Sequence, residues 1–143
     1  MSSRVNLSDK FSLIHEHWKP HIAGELNGQL IKLVKFQGEF VWHHHDNEDE
    51  MFLVVKGGFR MEFRDHAGEG AHSTPSLHSV AQGRPRATRT VSLDEGEFIV
   101  IPRGVEHRPV ADEECWVMLF EPASTLNTGN VVNERTVREL TRL

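Results

Sequence analysis

The stretch Trp42-His43-His44-His45-Asp46-Asn47-Glu48-Asp49-Glu50, followed by the apolar run Met51 to Val55 and the pair Gly57-Gly58, limits the folds open to this chain more than any other feature. Successive side chains on a strand alternate between faces, so His43 and His45 project from one side. Glu50 arrives after a short polar turn, on a returning strand. One hairpin thereby presents three metal-binding groups. A second segment, Gly96-Glu97-Phe98-Ile99-Val100-Ile101-Pro102-Arg103-Gly104-Val105-Glu106-His107, offers a fourth, His107, from the far side of the same fold. The expectation is a mononuclear metal site inside a small β-barrel.

The rest of the chain is read as strands set between turns. Leu30 to Phe36 is apolar with Lys32 and Lys35 interleaved, Gln37-Gly38-Glu39 is a turn, and Phe40-Val41-Trp42 runs into the histidines. Phe59, Met61 and Phe63 alternate with Arg60, Glu62 and Arg64, the clearest period-two segment. Thr90 to Leu93, Phe98 to Ile101 and Cys115 to Glu121 complete the set, and Pro122 ends the last of them. Regular strands with glycine-rich turns and marginal helices predict an all-β fold, an antiparallel sandwich or barrel. Residues 8 to 19, with Ser8 or Ser12 as N-cap, read equally as a short helix or an entry strand. The segment 65–88 has many Gly, Pro, Ser and Thr and few large apolar residues, so it reads as a long insertion. Residues 123–143 read as a polar tail, weakly helical over 134–140.

With 143 residues there is room for one domain, and a net charge of -5 gives no basic face for nucleic acid. A single cysteine, Cys115, excludes an intrachain disulfide. The N-terminus has no apolar run long enough for a signal peptide or membrane span, so a cytoplasmic protein is expected.

Ten histidines are the compositional anomaly. The pair His15-x-His17 lacks a supporting pattern and reads as solvent-exposed histidines, as do His66, His72 and His78 in the insertion. Around the hairpin two other registers exist: His44 with Asp46 in place of His43, and Asp49 in place of Glu50. Glu50 is preferred because it leaves six residues before Gly57. The run Asp46, Glu48, Asp49 reads as a solvated turn.

The two segments resemble the pair of motifs that define the cupin superfamily. The first reads Gly38, His43-x-His45, four residues, Glu50, six residues, Gly57; the second reads Gly96, five residues, Pro102-x-Gly104, two residues, His107. Ala111 stands where the second motif often has Asn, and Gly38 is one residue nearer His43 than usual. The resemblance covers about residues 25–122 and implies an antiparallel jelly-roll barrel, with residues 1–24 as an N-terminal segment that exchanges strands in a homodimer. Leu30, Leu33 and Phe36 fit a strand that needs a partner. It implies His43, His45, Glu50 and His107 as ligands of one divalent ion (Fe, Mn, Ni, Zn or Cu), with open positions for a small organic molecule. The implied activity is that of a dioxygenase, isomerase or lyase; a sugar or small-metabolite binding protein without turnover is the alternative. Inward strand positions, among them Phe52, Met61, Phe63, Met118 and Phe120, are expected to line the pocket, and Arg103 in the Pro-x-Gly turn is a possible carboxylate anchor.

Overall fold

The computed structural model describes residues 2–64 and 88–143; the expected insertion, with His66, His72 and His78, lies outside the described residues apart from Thr88. The elements are α1 (Leu7–Phe11), β1 (His21–Leu26), β2 (Gln29–Glu39), β3 (Glu50–Lys56), β4 (Gly58–Arg64), β5 (Thr88–Asp94), β6 (Phe98–Ile101) and β7 (His107–Pro122). These strands pair antiparallel in the order β1-β2-β7-β3-β6, with β4 joining β7 and β5 joining β4.

The strand that shapes the molecule is β7. One of its edges pairs with β2, while the other pairs first with β4, from His107 to Val110, and then with β3, from Trp116 to Phe120. Between these halves Phe36 faces Cys115 and Gly38 faces Ala111, so Asp112, Glu113 and Glu114 stand against the single residue Gln37 and bulge outward. Such a bulge bends a strand and lets one sheet fold over into two layers. Gly38 matches the bend from β2 with φ +84, a conformation that disfavours any side chain. The result is an antiparallel jelly roll.

Alternation decides which side chains lie between the layers. Val34 and Phe36 of β2, Phe52 and Val54 of β3, Phe59, Met61 and Phe63 of β4, and Cys115, Val117 and Leu119 of β7 form the main core. Burial pushes the Cys115 thiol up to about 12, so it packs as a small apolar group. A smaller cluster lies on the other face, where Phe11, Ile14 and Leu33 meet Trp116 and Met118; Phe11 stacks on Trp116 with centroids 4.8 Å apart. Leu30, Leu33 and Phe36 are thus buried within the chain and need no partner strand to cover them. Likewise β1 pairs with β2 of the same chain.

Two local readings are corrected. The helix starts earlier than Ser8 or Ser12 would place it: Asn6 is the N-cap, accepting from the Asp9 amide at 2.9 Å, and Ser12 is the C-cap. This start turns Phe11 onto β2. Replacing Asn6 with alanine removes that acceptor and is expected to cost about 1 kcal/mol, read as a lower urea midpoint with unchanged slope. An unchanged midpoint would show that tertiary packing alone holds the helix. Residues 134–140 form a turn at 134–135 followed by irregular chain rather than helix, because side chains take the backbone donors: Asn133 accepts from Arg135 N and Asn127 from Val137 N, each at 2.9 Å.

Candidate metal centre

The four motif residues meet between the layers. His43 forms a bridge with His107, each amide bonding the other's carbonyl (3.1 and 2.9 Å), which joins the hairpin to the start of β7. His45 follows two residues on, and Glu50 opens β3. All four are buried, with ligand atoms within 4.8 Å of one another.

Ring orientation is set by the backbone. The Nδ1 atoms of His43 and His107 each lie 2.9 Å from the carbonyl two residues earlier, Val41 and Val105. A ring that donates from Nδ1 keeps a lone pair at Nε2. His45 Nε2 and His107 Nε2 approach Glu50 Oε1 at 3.1 and 3.3 Å, yet none of these three atoms has a well-aligned hydrogen-bond partner. Buried polar atoms without partners are costly and rare. Two borderline-soft nitrogens and a carboxylate oxygen directed at one another fit a divalent first-row ion, as does the donor set as a whole.

Electrostatics separate the four groups. Burial, reinforced by neighbouring His107, lowers the His43 pKa to about 3, so the imidazole is neutral across the physiological range. For His45 burial also disfavours the charged ring, but the adjacent Glu50 carboxylate outweighs it and the pKa is raised. For Glu50, burial would raise the pKa; contacts with His107 and His45 prevail and hold it well below the usual carboxylate range. Glu121, on the same inward face of β7, is pushed well above that range by burial and by Glu50.

The other expected residues are scattered. Phe52 lines the cavity beside the centre, whereas Met61 and Phe63 are buried in the main core without bordering that cavity. Met118 and Phe120 are corrected: they alternate with the inward Val117 and Leu119, so they lie on the opposite face, where Met118 joins the cluster under α1. Arg103 is also corrected as an anchor, since its side chain is 63% exposed and leans on Asp49, whose carboxylate accepts from the Arg103 amide at 2.9 Å. That places Asp49 outside the centre. His44 points away too, with Nε2 3.0 Å from Asp46.

Several residues at the site carry no motif signal. The cavity measures about 30 Å³ and is walled by Trp18, Pro20, Val34, Phe36, Phe40, Phe52, Pro109 and Leu119, with His43, Glu50 and Asn127 as its polar groups. Trp18 closes it, stacked on Phe36 and Phe40 at 4.4 and 4.9 Å and tied by Nε1 to the Gln37 carbonyl at 2.8 Å. Residues 123–143 wrap over the hairpin: Asn130 exchanges hydrogen bonds with the His44 backbone, and Arg135 lies over the Trp18 and Phe40 rings. Gly129 sits so close that a Cβ there would be 2.2 Å from the His44 carbonyl oxygen.

No family model matches the chain. A cupin-2 domain containing protein from Shewanella frigidimarina is 41% identical, with a TM-score of 0.65 over 82% of this chain and 93% of that one. The uncharacterized Bacillus subtilis protein YdbB is 27% identical over 76% of each chain. A hydroquinone 1,2-dioxygenase from Sphingomonas with 4-hydroxybenzoate bound shares the fold at 16% identity, with a TM-score of 0.58 over 78% of this chain and 69% of that one. Hydroquinone 1,2-dioxygenase structures of this fold also occur in complex with Fe3+ and with Cd2+.

Proposed function

This chain belongs to the cupin superfamily, and from that membership we propose that it is a metal-dependent enzyme acting on a small organic molecule, with His43, His45, Glu50 and His107 as the ligands of one divalent ion. The observation that carries the reading is the convergence of buried, unpartnered donor atoms at the edge of an apolar cavity. A bound first-row ion supplies either redox chemistry, as iron or copper, or Lewis-acid polarisation, as manganese, nickel or zinc.

The chain's own residues do the rest. The Val41 and Val105 carbonyls fix the rings of His43 and His107, so these ligands need little reorganisation. Phe36, Phe40 and Phe52 favour a flat apolar ligand, and Trp18 keeps water from the centre. Asn127 also borders the cavity, but its side-chain amide is engaged by Val137 N and the Arg135 carbonyl. A sugar, which needs a partner for each hydroxyl, finds few in these walls, so turnover of a compact apolar molecule is favoured over sugar binding. Since about 30 Å³ holds only a water or two, admitting any larger molecule displaces Trp18, Phe40 or Asn127.

Elemental analysis of the purified protein beside its His45→Ala variant tests the assignment. The expected result is roughly one equivalent of a first-row metal in the parent and little in the variant, which keeps its fold. Equal metal content in the two, or none in the parent after reconstitution, would defeat it. Turnover is then sought with the reconstituted parent, by oxygen consumption with iron and by product analysis with the other ions.

A further inference from the structure

Next to the four candidate ligands lies a buried ion pair. Lys32 is 1% exposed and Glu121 is 1% exposed, and their Nζ and Oε1 atoms are 2.8 Å apart. Lys32 also reaches the Thr125 carbonyl at 3.3 Å. Strand register explains the meeting: Lys32 faces Leu119 and Leu30 faces Glu121, so lysine and glutamate are diagonal neighbours on the inward face of the β2/β7 ladder. On the other edge of β7, Met51 pairs with Phe120, and one step further along this ladder brings Glu50 level with Glu121. This register sets the two buried carboxyl groups side by side, and Glu121 Oε2 is buried without a hydrogen-bond partner.

An ion pair buried this deeply is a weak source of stability, because desolvating two charges offsets most of their attraction. Its place in the structure points instead to the neighbouring carboxylate. Glu50 must turn Oε1 toward the imidazoles, and a carboxylate held at one oxygen alone is free to rotate. We propose that Lys32 and Glu121 are positioning residues for the metal centre: Lys32 anchors Glu121 through Oε1, and the remaining oxygen of Glu121 holds one proton in common with Glu50, in a hydrogen bond that fixes the ligand's orientation. This rests on the metal reading above. It assigns the pair a task that no ligand performs.

The test replaces the pair as a unit, Lys32→Met with Glu121→Leu, and measures Zn2+ affinity by competition with a chromophoric chelator, the Co2+ absorption spectrum of the loaded protein, and the melting temperature of the metal-free form. The expected result is a melting temperature at or above the parent's together with Zn2+ binding weakened 10- to 100-fold and an altered Co2+ spectrum. Zn2+ affinity within threefold of the parent's and an unchanged spectrum would overturn the positioning role. Glu121→Gln is near-isosteric, can donate an amide hydrogen to Glu50, and guards against a double variant that does not fold. It is expected to stay within threefold of the parent in Zn2+ affinity; a tenfold loss would overturn the hydrogen bond to Glu50. A parent that binds neither ion removes the metal reading itself and this inference with it, an outcome distinct from variants that bind as the parent does.

Discussion

Changing Gly129 to alanine is expected to lower the melting temperature by on the order of 10 °C and to weaken metal binding as well. The added Cβ would stand 2.2 Å from the His44 carbonyl oxygen, 3.0 Å from its carbon and 3.1 Å from His43 Cδ2. The first two are backbone atoms, so no rotamer change relieves the contact. The residue also has φ +55, which costs a non-glycine residue about 1 kcal/mol before any clash is counted. The segment must therefore lift away from the hairpin, losing the Asn130 bonds to His44, for a total of about 3 kcal/mol. Gly96→Ala is the control: φ is +82 there, but nothing lies within 4 Å of the new atom. A thermal scan in which the two variants lose the same few degrees would show that residues 123–143 do not brace the centre.

Acid is expected to unfold the metal-free protein in a stepped manner set by the centre itself. His43 has a folded pKa of about 3 against a usual value of 6.5, so between these values the unfolded chain takes up a proton that the fold refuses. Stability from this group is complete above pH 6.5 and is lost as pH falls, by about 1.4 kcal/mol per pH unit. Glu50, held well below 4.5, acts in the same direction, but only below pH 4.5. Glu121 opposes them: raised well above 4.5, it contributes stability that is complete below pH 4.5 and is lost as pH rises toward its folded value. His45, raised above 6.5, loses its contribution only as pH rises beyond that point. His43 and Glu121 therefore oppose each other above pH 4.5, whereas His43 and Glu50 add below it. Urea denaturation with a chelator present, across pH 3.5 to 7, measures the profile. Glu121→Gln should steepen the fall in stability with acid above pH 4.5, and His43→Phe should remove one proton from the steep section below it. Parallel profiles for parent and both variants would contradict the account.

The parts of the fold that were legible in the sequence are those where alternation and turn residues agree. Phe59, Met61 and Phe63 could face only inward, with Arg60, Glu62 and Arg64 outside them, and they do. The grouping of His43, His45, Glu50 and His107 was legible from spacing, because few other chemistries need that order of donors around those glycines. Which face of β7 looks inward was not. Both Cys115-Val117-Leu119 and Trp116-Met118-Phe120 are apolar, and the choice is made by α1, whose cluster takes in Trp116 and Met118 of the second set. Lys32 did leave a signal: it shares strand parity with Leu30, Val34 and Phe36, so it had to lie inside while Lys35, at odd spacing, did not. Interleaved lysines read as a wet face, and only the buried Glu121 on the neighbouring strand β7 reverses that. Trp18, with φ +61, sits in a left-handed conformation imposed by tertiary contacts that no local pattern announces.

The three-way pairing of β7 has a consequence for the order in which the molecule is made. During synthesis the hairpin ligands leave the ribosome first, but the bridge from His43 to His107 and the ladders to β2, β3 and β4 all await the residues from 107 to 122. Until then His43, His45 and Glu50 form an open, solvated trio that any first-row cation can visit and leave. The full donor set exists only in the finished barrel, so an ion held there would be chosen from the cations available where folding is completed.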